Sequence, residues 1–134
     1  MRYLLDTKVL LWAASSPEKL TPELRASLEN PQNDLCFSAA SMWEIAMKNT
    51  LGRPDLKIDL WHLRRCLQNN EYSEIPVTSE HVAFTQMLEK LHHDPFDRML
   101  IAQACVDDLR LLTADHAVNQ YSGPIQMVTE YASS

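Results

Sequence analysis

Short apolar runs recur along this chain, and each is set apart from the next by a longer stretch with helical spacing. No other feature restricts the fold as much. Arg2 to Leu5 reads as a buried strand, Leu35-Cys36-Phe37 as a second, Glu74 to Val77 as a third, Arg110 to Thr113 as a fourth and Ile125 to Val128 as a fifth. Strands joined through helices cannot pair as tight hairpins. They need crossovers, which are right-handed, lay the strands parallel and cover both faces of the sheet with helices. The predicted fold is α/β, a three-layer sandwich around a central parallel sheet of about five strands.

Capping chemistry sets the helix boundaries. A helix over Val9 to Ala14 begins right after the first strand. Thr21-Pro22-Glu23 starts another, with Thr as N-cap and Pro at the first helical position, and it fades by Asn30-Pro31. Ser41-Met42-Trp43-Glu44 has capping-box spacing, in a helix that starts there or a few residues earlier and runs to Leu51-Gly52. A further helix fits Ile58 to Gln68. Thr78-Ser79-Glu80 caps a helix extending through Leu91, and Asp94-Pro95 opens one that reaches about Val106, with Asp94 as N-cap and Pro95 at N1.

With 134 residues and 46% hydrophobic content, the chain is expected to form one domain, residues 1–134, around one core. Its apolar runs fall well short of the roughly 20 residues of a membrane span, and the N-terminus lacks the basic-then-apolar layout of a signal peptide, so a cytoplasmic protein without membrane association is expected. Cys36, Cys66 and Cys105 are far apart with no C-x-x-C spacing, which argues for core filling over disulfides or zinc. The net charge of −6 opposes a generic nucleic-acid coat. Locally, Lys48, Arg53, Lys57, Arg64 and Arg65 outnumber Asp55 and Asp59, so that stretch is either a polyanion dock or a solvated helix face.

The same topology gives four acids a common address. Ligands of open parallel sheets bind outside the carboxyl ends of the strands. Asp6 follows the first strand, where it is either a cap for the next helix or a ligand at the sheet rim. Asp115 stands in the same relation to the fourth strand, in RLLTAD. Glu44 lies in an apolar Met-Trp-Glu-Ile-Ala run, which puts an acid in a crowded interior or a cleft. Asp97 occupies the first turn of the helix that Asp94 opens. Each has an ordinary alternative: Asp6 a cap, Asp97 a complement to the helix dipole, Asp115 a turn residue. Together they favour a shared site for a hard cation, because carboxylates gathered at one sheet edge repel and raise each other's pKa unless a divalent ion neutralises them. Oxygen-only ligands select Mg²⁺ or Mn²⁺ over zinc, and such ions activate water and stabilise a phosphodiester during displacement. Metal-dependent phosphodiester hydrolysis is the expected chemistry.

Four segments, YLLDTKVLLW, FSAASMWEIAMKNTLGR, HHDPFDRMLIAQA and LLTAD, resemble in order the signatures of the PIN-domain family, specifically the VapC-type toxins of bacterial toxin–antitoxin systems. The resemblance covers most of the chain. It implies a Mg²⁺-dependent endoribonuclease acting on RNA, often a homodimer, inhibited by a cognate VapB-type antitoxin. Carried over by position, the family's acids fall on Asp6, Glu44, Asp97 and Asp115. Within HHDPFDR, Asp97 matches the metal ligand and Asp94 fits the cap. His92 and His93 read as surface or helix-end residues. Arg98 and Lys48 each either contact phosphate or pair with an acid, and for Arg98 the ion pair is the favoured reading. One departure is Lys8, where relatives commonly carry His. A lysine there donates to a phosphate, competes with the metal, or faces solvent.

Two other readings are open. An HD-type phosphohydrolase would use His93-Asp94 as a metal doublet, but that fold is wholly helical and the strand signals oppose it. An acidic α/β module that binds a cation or a basic partner without turnover is the second. A receiver-like version needs an acidic pair near the first strand and a Lys after the last, and neither is present.

Overall fold

The computed structural model describes residues 1–51, 57–91 and 94–132. In chain order the elements are β1 (Arg2–Leu5), α1 (Thr7–Ser15), α2 (Pro22–Glu29), β2 (Asp34–Ser38), α3 (Ala39–Thr50), α4 (Leu60–Asn69), β3 (Ser73–Ile75), α5 (Ser79–Thr85), α6 (Pro95–Val106), β4 (Arg110–Thr113) and β5 (Ile125–Met127), with short 3₁₀ turns at Pro17–Lys19 and Val118–Gln120. The five strands form one sheet in the order β3-β2-β1-β4-β5, and every neighbouring pair is parallel. An HD-type fold, being wholly helical, is excluded by this sheet.

Neighbouring residues on a strand point to opposite faces, so each central strand supplies both cores at once. Leu5, Phe37 and Leu112 face a cluster with Val9 and Leu10 of α1, Ile45 of α3 and Leu63 and Leu67 of α4. Leu4, Cys36 and Leu111 face the other way, onto Leu100, Ile101 and Ala104 of α6. Leu4 stands in register with Cys36 on one side and Leu111 on the other, which makes a continuous apolar row across the sheet. Each such leucine, fully buried, contributes about 1.5–3 kcal/mol. The result is the expected three layers. Cys36 is buried, Cys66 and Cys105 are partly so, and all three are free thiols. Among the described residues no helix is long and apolar enough to cross a membrane.

The caps fall largely where the side chains dictate. Thr21 Oγ1 accepts from the Leu24 amide at 3.1 Å, and Asp94 Oδ1 accepts from Phe96 and Asp97 at 2.9 and 3.2 Å. Most ends shift by a residue or two, α3 takes the earlier of its two expected starts, and β3 and α5 end short. The cap of α3 is Ser38, whose Oγ accepts from Ala40 at 2.9 Å, so Ser41 lies inside the helix and Ser41-Glu44 is not a capping box. β3 ends at Ile75 because Pro76 has no N–H to extend the ladder. α5 stops at Thr85 instead of Leu91, because Arg98 takes the Thr85 and Glu89 carbonyls, both at 2.8 Å, and the chain turns to deliver them. Gly52, Arg53, Asp55, His92 and His93 lie outside the described residues.

Candidate functional site

From β1 the chain steps outward through β2 to β3, then returns to place β4 on the other side of β1. The order therefore reverses between β1 and β4, and the crevice at their carboxyl ends is the topological switch point, where open α/β sheets bind ligands. Asp6 and Thr113 meet there. The Asp6 amide donates to Leu112 O at 3.0 Å, fixing the backbone to β4. Its Oδ1 accepts from the Val9 amide at 2.8 Å, and its Oδ2 accepts from Thr113 Oγ1 at 2.6 Å. Asp6 is thus both helix cap and rim acid, with one oxygen for each duty. Only 5% of it is exposed. Burial pushes its pKa upward and the charge of Glu44 adds to this, against hydrogen bonds from Thr113, Val9 and Ala114 that favour the carboxylate.

Glu44 is buried on α3, as a single acid among apolar neighbours requires it to be once that helix packs on the sheet. Thr7 Oγ1 donates to its Oε1 at 2.6 Å and Lys48 Nζ to its Oε2 at 2.8 Å. Thr7 directly follows Asp6, so this contact ties the start of α1 to α3. Trp43 meets Phe96 edge-to-face, with ring centroids 5.2 Å apart, and this docks α3 against the first turn of α6. Asp97, half-buried in that turn, is thereby brought near the Glu44 pair. Lys48 registers the gathering: its pKa is raised first by its bond to Glu44, partly offset by desolvation, with the charges of Glu44, Asp94 and Asp97 adding smaller increases.

Asp115 enters by another route. Its amide donates to Thr113 Oγ1 at 3.1 Å, so one hydroxyl links Asp115 backbone to Asp6 carboxylate. The Asp115 side chain is exposed, and its Oδ1 accepts from the Ala117 amide at 2.8 Å in an Asx turn. Asp6 and Glu44 are the two buried acids, Asp97 acts on the Lys48 that bonds Glu44, and Asp115 is exposed and tied to Asp6 through its backbone and Thr113. Sequence reasoning missed Thr7 and Thr113. The available signal was position: one hydroxyl directly follows Asp6, the other ends a strand two residues before Asp115.

The other basic candidates separate cleanly. Lys8 is exposed and lies over Trp12, 5.8 Å from the ring centroid, which is the solvent-facing alternative. Arg98 donates to Tyr121 Oη at 2.9 Å besides the two carbonyls, and so braces the turn after α5. Arg64 reaches Glu74 at 3.3 Å, which uses part of the basic stretch.

The donor chemistry suits a hard cation: oxygens only, two of the carboxylates buried, and one of these held above its usual pKa. Even so, among the described residues no three His, Cys, Asp or Glu side chains stand close enough together to hold an ion as they are. A cleft of about 700 Å³ lies at the opposite end of the sheet, lined by Arg25, Asn30, Asp34, Leu35, Tyr72 and Ser73, and none of the four acids borders it.

Residues 3–124 match the PIN domain family. No curated protein matches the chain. Among solved structures, VapBC2 from Rickettsia felis, bound to a DNA fragment from its promoter, is similar with a TM-score of 0.69 at 14% identity, covering 95% of this chain and 98% of that one. VapBC-1 from nontypeable Haemophilus influenzae gives 0.61 at 15% identity, covering 95% and 98%. VapBC-5 from Mycobacterium tuberculosis gives 0.60 at 12% identity, covering 96% and 98%. At these identities the likeness is one of fold. The family match, which spans both strands of the switch point and all four acids, shows that this chain belongs to the PIN-domain family.

Proposed function

We propose that this chain is a Mg²⁺-dependent endoribonuclease, also served by Mn²⁺, acting in the cytoplasm as the VapC-type toxin of a toxin–antitoxin pair. The observation that carries this reading is the burial of Asp6 beside Glu44 at the switch point of a PIN domain. Two acids are desolvated and set against each other there, a cost that a fold accepts where the charge is used. Asp6, Glu44, Asp97 and Asp115 are the residues to hold the ion. When bound, it supplies an acidified water and neutralises charge on the scissile phosphodiester. The chain's own groups do the positioning. Thr113 fixes the Asp6 rotamer, Thr7 fixes that of Glu44, and the cap bond to Val9 locks Asp6 to α1.

The partner assignments rest on surface and on likeness. Trp43 and Met47 are exposed four residues apart on α3 and Leu51, also exposed, caps its end, so an apolar stripe runs along the helix that carries Glu44. Such a face supports a homodimer and an antitoxin contact, and the similar structures are of toxin–antitoxin complexes. A VapB-type antitoxin would inhibit by laying an Arg-containing segment into the acids, since a guanidinium can replace a cation among carboxylates.

Mapping RNA 5′ ends after brief induction, with parallel digestion by purified protein, tests the assignment. New 5′ ends and Mg²⁺- or Mn²⁺-supported cleavage are expected. Full cleavage in excess chelator would overturn the metal dependence, and an unchanged map of ends would overturn the ribonuclease.

A further inference from the structure

Resting on the metal-site reading above, we infer that Lys48 is the resident counter-cation of this site, seated on Glu44 in place of the metal and displaced when the metal binds. The geometry carries the inference. Glu44 is buried, with 8% of its side chain exposed, yet Lys48 Nζ lies 2.8 Å from its Oε2 while 71% of the lysine side chain remains in solvent. A buried carboxylate beside a second one demands a positive charge. Lys48 provides it from a flexible stem rooted one helical turn away, so the ammonium can leave into water without disturbing α3.

The surrounding charges point the same way. Asp94 and Asp97 at the start of α6 both act on Lys48, and Glu44 acts on Asp6. The ammonium therefore stands among the groups that a divalent ion has to engage. A divalent ion has to supply the charge that Lys48 gives up, so part of its binding free energy goes into breaking the Lys48–Glu44 pair.

The experiment is calorimetric Mn²⁺ titration of the full chain as wild type, Lys48→Met and Lys48→Arg, with thermal melts of each with and without Mn²⁺. Loss of a partly exposed ion pair as competitor predicts Mn²⁺ binding about three- to tenfold tighter in Lys48→Met. Lys48→Arg, which keeps the charge on Glu44, should stay near wild type. Metal-free Lys48→Met should melt below wild type, and Mn²⁺ should raise its melting temperature more than it raises that of wild type. If Lys48→Met does not fold without metal, Lys48→Gln, which retains a donor without the charge, replaces it in the titration with the same expected tightening. Equal or weaker Mn²⁺ binding on loss of the charge overturns the inference while leaving the metal site standing. Absence of Mn²⁺ binding in every variant overturns both.

Discussion

The two ends of α6 treat acids in opposite ways. At its start, Asp97 acts on Lys48, the cation bonded to Glu44, while burial and the charge of Glu44 hold Asp6 above its usual pKa. At its far end Asp107 is paired with a histidine. His81 Nδ1 accepts from the Thr78 amide at 3.1 Å, which leaves Nε2 to carry the hydrogen that it shares with Asp107 Oδ2 at 3.0 Å, and Arg2 donates to the Asp107 carbonyl at 3.1 Å. One end is built like a structural network, in which the acid is paired with a histidine whose other ring nitrogen is held by a helix cap. The other brings acids to the crevice where the sheet topology favours a ligand, as the proposed metal site requires.

The sharpest way to break this contrast is to neutralise the acids. Asn preserves the size and capping ability of Asp but not its charge. Asp6→Asn and Asp97→Asn are expected to lower RNA cleavage by about two or more orders of magnitude, comparable to losing an essential electrostatic group. Metal-free Asp6→Asn should be as stable as wild type or more so. The sign follows from the raised pKa: a carboxyl that prefers its proton in the folded state contributes stability in acid and loses it as pH rises through the folded value. The gain from Asn is therefore absent near pH 3 and grows toward neutrality, in melts recorded across pH. Asp94→Asn, a cap for a cap, should change cleavage far less. Wild-type cleavage by Asp97→Asn together with an inactive Asp94→Asn would exchange their roles.

A smaller effect separates the threonine relay from the acids it serves. Thr113→Val removes the donor to Asp6 Oδ2 and the acceptor for the Asp115 amide, and should cost about 1–3 kcal/mol in urea denaturation together with a drop in cleavage. Thr113→Ser should restore both. If Thr113→Val cleaves normally, the hydroxyl does not position Asp6 for the reaction.

The smallest effect lies on the quiet side of the sheet. Tyr72, beside the cleft remote from the acids, has its hydroxyl pushed up to about 12 by burial. Its folded value is the higher one, so the stability it contributes is complete below pH 10 and is lost between pH 10 and about 12. Tyr72→Phe should flatten that alkaline decline by at most about 3 kcal/mol and leave cleavage unchanged. A change in cleavage would mean that the two sides of the sheet are coupled.

Much of this arrangement was readable from residue order, for identifiable reasons. β1 and β4 lie where the apolar runs place them, and Thr21-Pro22 and Asp94-Pro95 begin helices because their capping chemistry is local. What stayed hidden depends on partners distant in sequence. α5 is cut short by Arg98, thirteen residues past its last helical carbonyl. Thr113 gained its role only when the sheet brought it to Asp6. The strand order, and with it the switch point, is a property of pairing that no single segment records. The four acids could be singled out because Glu44 is a charge in an apolar run and the strand–helix order sets the other three at strand or helix ends, whereas a threonine at the end of a strand has nothing unusual about it.

The bond from Thr113 to Asp6 spans 107 residues, and it bears on how the protein is made. At about 5–20 residues per second, the ribosome adds Thr113 roughly 5–20 s after Asp6. During that interval β1 has β2 to pair with but not β4, and Asp97 arrives late as well. The growing chain therefore carries Asp6 and Glu44 without the wall that completes their crevice. For an enzyme proposed to cut RNA, synthesis on an RNA template proceeds while its own site is still unassembled, a delay written into the strand order itself.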